Sequence, residues 1–118
     1  MSRDWRLYLD DIVEYSDRAS RYTEGMTYEE FLGNEQVYDA TVRCLEVIGE
    51  AVRNVPDELR IEAPSIPWAQ IAAFRNRLAH AYFSLLNPLV WEVIQQHLPP
   101  LRAEADRLRS DSTLFPGP

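Results

Sequence analysis

The sequence predicts an all-α fold, an up-and-down bundle of four to five helices. Three observations point there. Apolar residues recur at three- and four-residue steps through several long segments, the period of one helix face. Strand-like alternation never persists beyond a few residues, and there is no internal repeat. Only four glycines occur in 118 residues, while capping residues and prolines fall at the joints between the periodic segments. A chain of this length can bury a core as one domain without disulfides. Residues 1–109 are assigned to that bundle and 110–118 to a flexible tail of small residues and prolines.

The first helix is expected from about Arg3 to about Tyr22, with Trp5, Tyr8, Leu9, Ile12, Ala19 and Tyr22 on its apolar stripe. Asp10, Asp11, Glu14, Asp17 and Arg18 fall largely on the other face. A short helical turn follows, opened by Thr27 and Glu30 as a capping box and closed by Gly33 in left-handed geometry. Asn34 then caps a second long helix, from about Glu35 to about Asn54. Its stripe is Val37, Thr41, Cys44, Leu45, Ile48, Val52 and Val55, and Pro56 ends it. Asp57 to Ser65 reads as a loop bounded by prolines, with one turn at Asp57 to Arg60.

The third long helix begins near Pro67, a residue suited to a first helical position, and packs through Trp68, Ile71, Ala72, Leu78 and Ala79. Asn87-Pro88 reads as the cap and first residue of a fourth helix reaching about Gln96, packed through Leu89, Val90, Trp91, Val93 and Ile94. Pro99-Pro100 is expected to break the chain, and Leu101 to Arg109 to form a last amphipathic helix.

Charge narrows the function classes. The net charge is -7, from 19 acids and 12 bases, and every base is arginine. Sequence-independent nucleic-acid binding is cationic, so any RNA contact should be local and centred on Arg75 and Arg77. The acidic surface also suits a basic protein partner. Cys44 is the single cysteine, which fits a reducing compartment and a buried, inert thiol. No apolar run approaches the ~20 residues of a membrane span, and the N-terminus shows no signal-peptide pattern. The expected location is the cytoplasm.

The string Arg75-Asn76-Arg77-Leu78-Ala79-His80-Ala81-Tyr82 concentrates the chemistry. Histidine, with a pKa of ~6.5, serves as acid or base near neutrality. Arginine offers a planar fork to phosphate oxygens. Asn76 could orient the imidazole, and Tyr82 could stack on a base. Nothing in the string has metal-ligand spacing, so neither metal nor cofactor is expected. The plain alternative makes Arg75 and Arg77 solvated, His80 half-buried and Tyr82 a core-edge aromatic. At ~100° per residue, Arg75 and His80 diverge by about 140°, poor geometry for one compact site on a straight helix. Either the helix bends there, or a second copy completes the site across a two-fold axis. A homodimer with a composite site is the expectation.

Three blocks of sequence together resemble the HepT-like branch of the HEPN superfamily. Arg43-Cys44-Leu45-Glu46-Val47-Ile48-Gly49-Glu50-Ala51 resembles its second-helix signature. Ile66-Pro67-Trp68, followed by Ile71, resembles the lead-in to its active-site helix. Arg75, His80 and Tyr82 match its Arg-(four residues)-His-(one residue)-Tyr motif. The resemblance implies a two-fold dimer and a metal-independent ribonuclease toxin with Arg75 and His80 catalytic. It also implies a partner, an MntA-type nucleotidyltransferase antitoxin that transfers AMP from ATP onto Tyr82. An alternative is a non-catalytic substrate-binding or regulatory subunit of such a transferase.

Three neighbours complete the expectations. Gly49 costs helix stability relative to alanine, which suggests a close helix approach. Such an approach would place Glu50, about 140° from Leu45 on its helix, near the dimer seam, where it could hold Arg75 or Arg77; a plainly solvated Glu50 is the other reading. His97, near a helix C-terminus, reads as a dipole-complementing residue.

Overall fold

A computed structural model describes residues 4–80, 83–111 and 114; the side chains of 79–85 lie outside that description. The fold is all-α. Helix α1 (Trp5–Thr23) is followed by the short α2 (Tyr28–Gly33), the long α3 (Glu35–Arg53), the single turn α4 (Asp57–Arg60) and α5 (Trp68–His80). Then come α6 (Phe83–Glu92), a π-helical turn (Val93–His97) and α7 (Leu98–Arg109). Helix α1 packs on α3 and on α7, and α3 packs on α5. The molecule is elongated, 48 × 28 × 27 Å. No helix among the described residues is long and apolar enough to cross a membrane.

The local rules written in the sequence set most of the joints. Asp4 caps α1 by accepting from the Arg6 N–H at 2.9 Å. Thr27 and Glu30 form the reciprocal box, each side chain accepting from the other's backbone N–H at 3.1 and 3.0 Å. Asn34 ends α2 and also caps α3, its Oδ1 accepting from the Val37 N–H at 3.1 Å. The turn at Asp57–Arg60 exists, and it has a task. The Arg60 guanidinium donates to the Val55 and Val52 carbonyls at 2.8 and 2.9 Å, tying the turn to the C-terminal end of α3.

Two joints differ from expectation. Gly33 belongs to α2 and has a negative φ; the left-handed residue is Gly25, at φ +75°, just past the end of α1. Asn34 makes the difference, because one residue serving two helices leaves no room for a left-handed turn between them. The prolines differ too. Pro88 does not start a helix but lies inside α6. An interior proline costs about 3 kcal/mol, and tertiary contacts offset it. Leu86 and Val90 are buried beside it, and Asn87 Oδ1 accepts a short hydrogen bond from the Tyr38 hydroxyl. Trp91 joins Phe31 and Tyr28 with ring centroids 5.1 and 6.1 Å apart. Pro99-Pro100 does not break the chain either. The π turn ends with the Leu98 N–H bonded to the Val93 carbonyl, and the prolines occupy the first turn of α7, where missing N–H groups cost least.

The core follows the expected stripes, with Leu9, Ile12, Ala19, Cys44, Leu45, Ile48, Val52, Val55, Trp68 and Leu78 all buried. Trp5 and Tyr22 are the exceptions, 44% and 38% exposed at the two ends of α1, where the stripe runs past its partners. Burial pushes the Cys44 thiol above its ordinary pKa, against the pull of Arg18, Arg21 and Arg43, as suits an unreactive core group. Helices α1 and α7 run antiparallel, and two ion pairs set their register. Arg109 meets Asp10 at 3.1 Å, and Arg102 meets Asp17 at 3.0 Å, seven residues later on α1 and seven earlier on α7.

The two glycines on either side of Thr27 should respond oppositely to alanine. Gly25→Ala forces a side chain into left-handed backbone and should cost about 1 kcal/mol. Gly33→Ala meets nothing within 4 Å and should be neutral or stabilising by up to about 0.5 kcal/mol. Urea unfolding of the two variants checks this; equal destabilisation would contradict the assignment of the left-handed turn.

Candidate functional site

The site is built where α5 crosses α3. Gly49 has no side chain, and the Arg75 stem occupies the space one would fill. A Cβ at Gly49 would lie 2.3 Å from Arg75 Cβ and 2.6 Å from its Cγ. No real side chain tolerates that, so the glycine lets the backbone of α5 approach α3 with Arg75 lying across it. The close approach expected from Gly49 is present, and its partner is Arg75.

The same crossing brings Glu50 to Arg75. Glu50 Oε2 lies 3.6 Å from Arg75 Nη2, with the side chains 48% and 32% exposed. A pair this open contributes only about 0–1 kcal/mol to stability. Its consequence is orientation. Glu50 is itself steadied from its own helix, with Arg53 at 3.9 Å and Asn54 Nδ2 donating to Oε1 at 3.5 Å. Asn76 adds a second hold, its Oδ1 accepting from Arg75 Nη1 at 3.5 Å. Arg75 is thus seated on Gly49 and held by Glu50 and Asn76.

Arg75 and Glu50 line a cleft of about 270 Å³ between α1, α3 and α5, shared with Tyr8, Asp11, Arg43 and Glu46. Arg43 opens the second-helix signature without being among the candidate site residues, and its Nη1 lies 3.7 Å from Glu46. Its spacing from Glu50, seven residues or two helical turns, was the available signal. The cleft has two guanidinium groups and three carboxylates, an environment that admits an anion only by exchange of partners.

Arg77 is exposed on α5, two residues after Arg75, and so points to the other flank of the helix. The position of His80 closes α5, but its side chain lies outside the described residues, and so does Tyr82 altogether. The structure therefore brings together Arg75, Asn76 and Glu50, and sets Arg77 apart from them. His97 is the last residue of the π turn and lies 3.8 Å from Glu92.

The profile of the family described as "Ribonuclease HepT-like" matches residues 12–108. A Methanocaldococcus jannaschii protein provisionally named an RNase is 40% identical over 109 residues, 92% of this chain and 90% of the relative. A Thermococcus cleftensis protein named probable ribonuclease HepT is 34% identical over 109 residues, 92% of this chain and 99% of its own length. A Caldanaerobacter subterraneus protein, also provisionally named an RNase, is 34% identical over 103 residues, covering 87% and 92%. No solved structure is a significant match.

Gly49→Ala should cost about 1–3 kcal/mol, the range for overpacking a core. Adding Arg75→Ala should not rescue it, because the closest atom is the Arg75 Cβ that alanine keeps. Adding Arg75→Gly should recover part of the loss. Thermal unfolding of the three variants decides, and full rescue by Arg75→Ala would contradict the contact.

Proposed function

The chain belongs to the HepT-like ribonuclease family, and from that premise we propose that it is a metal-independent endoribonuclease acting as a toxin. The observation that carries the proposal is the seating of Arg75 on Gly49 beside Glu50, on the helix that also carries position 80. In this reading the scissile phosphate displaces Glu50 from Arg75 and takes its guanidinium fork. The 2′-hydroxyl attacks phosphorus, the bond to the 5′-oxygen breaks, and a 2′,3′-cyclic phosphate and a 5′-hydroxyl form. His80 acts in the proton transfers, taking one from the 2′-hydroxyl or giving one to the leaving oxygen. Asn76 and Arg77 support phosphate binding.

The site is composite. Helical register separates Arg75 from position 80 by about 140°, and a two-fold homodimer brings Arg75 of one protomer towards His80 of its partner. Control falls to Tyr82. An MntA-type nucleotidyltransferase transfers AMP from ATP: the phenol oxygen bonds to the α-phosphorus, and pyrophosphate leaves. The product carries a bulky phosphodiester anion where a neutral phenol stood, and it competes with RNA for Arg75. The net charge of -7 favours a second reading, a non-catalytic subunit that docks the transferase and cuts no RNA. Growth arrest on expression, relieved by His80→Ala, separates the first from the second.

The purified protein should cleave RNA in EDTA and leave 2′,3′-cyclic phosphate ends. His80→Ala should abolish that cleavage, and undiminished cleavage by the variant would sink the assignment. Incubation with ATP and the transferase should add the mass of AMP to Tyr82 and stop cleavage; a tyrosine left unmodified would remove the proposed control.

A further inference from the structure

Helix α5 borders a second concavity, on the flank away from the Arg75 cleft. A groove of about 530 Å³ lies between α3, α5 and the π turn, within the roughly 300–1,000 Å³ range of small-molecule sites. Its floor is apolar and includes Ile71 and the ring of Phe74. Gln70, Arg77 and His97 bring polar groups to its lining, and all three are exposed. Among the described residues Arg77 has no ion-pair or hydrogen-bond partner. Arg43, Arg53 and Arg75 each have a carboxylate within 4 Å. In a chain of net charge -7, one uncompensated guanidinium beside an apolar, partly aromatic floor suits a ligand with a flat ring and an anionic group.

The geometry points to a nucleotide-binding subsite for the RNA strand, an inference that rests on the ribonuclease reading. One base lies on Phe74 and Ile71, Gln70 meets its edge, and its phosphate sits at Arg77 with His97 nearby. Register supports the placement. Position 80 follows Arg77 by three residues and falls about 60° from it around α5, against about 140° from Arg75. The groove therefore adjoins the side of the helix that carries position 80. Charge favours the RNA strand over a second copy meeting this groove face to face, because two copies would bring two Arg77 guanidinium groups together with no carboxylate among the described lining residues to pair them.

Titration of adenosine 5′-monophosphate and cytidine 5′-monophosphate into the full-length protein, followed by amide NMR shifts, tests the subsite without requiring catalysis. Shifts should cluster at Gln70, Phe74 and Arg77, and Arg77→Ala should weaken binding about tenfold, the loss of one charge-assisted phosphate contact. In RNA cleavage, Arg77→Ala should raise KM about tenfold with kcat changed less than about threefold, and Gln70→Ala should alter the base preference beside the cut. Cleavage of RNA with nucleotide shifts confined to the Arg75 cleft would overturn the subsite and leave the ribonuclease reading standing. Nucleotide binding in the groove without RNA cleavage would do the reverse. Ala73 is exposed and lines the groove, so Ala73→Arg can block it without burying charge. A wild-type dimer that this change turns into a monomer would show the groove to be an interface between copies and overturn the inference.

Discussion

The phosphate-binding role proposed for Arg75 depends on its contact with Gly49. Helices ordinarily pack with axes 8–10 Å apart because side chains intervene. At this crossing α3 presents no side chain, and the Arg75 stem lies where one would be. The contact fixes where the guanidinium emerges and makes Glu50, the next residue on α3, its neighbour at 3.6 Å. Both partners stand on regular helices packed against one core, and such a platform holds a functional group more reproducibly than a loop does.

The electrostatics reconcile an acidic chain with an RNA substrate. A diffuse basic surface would bind RNA indiscriminately, and this chain has none. Its cationic groups around the site are individually matched: Arg75 with Glu50, Arg43 with Glu46. Half-exposed pairs of this kind contribute little to stability, so a phosphate that binds both arms of a guanidinium can exchange with the carboxylate. In the proposed reaction Glu50 acts twice, holding Arg75 in place before substrate arrives and yielding to the phosphate when it does. Arg77, without such a partner among the described residues, marks the other flank of α5 as different in kind.

Much of this was legible in the sequence, for reasons that can be located. The capping box at Thr27 and Glu30 and the cap at Asn34 are local rules, and they hold because each involves residues within three positions. The core stripes hold because burial follows the helical period. Pro88 and Pro99-Pro100 misled because their local signal was overridden at a distance. Tyr38 binds Asn87 from 49 residues away, and a π turn leads the chain into α7 with Pro99-Pro100 in its first turn. At the site, Gly49 was readable as a cost without local return, which implied a close neighbour. Its identity as Arg75 was not readable, since it depends on how α3 and α5 cross. Arg43 was readable as part of the second-helix signature but not as a cleft residue, since only the packing of α1 against α3 places it there.

The central claim is that Glu50 holds Arg75 in the orientation from which it takes the scissile phosphate. The kinetics of RNA cleavage by Glu50→Gln, measured beside its thermal unfolding, test this most directly. The substitution keeps the shape and removes the charge, so the fold should be unaffected, given how little an exposed pair contributes to stability. The account predicts a fall in kcat of about tenfold, equivalent to roughly 1.4 kcal/mol, with an unchanged unfolding midpoint. Cleavage as fast as that of the natural protein, or faster, would contradict it.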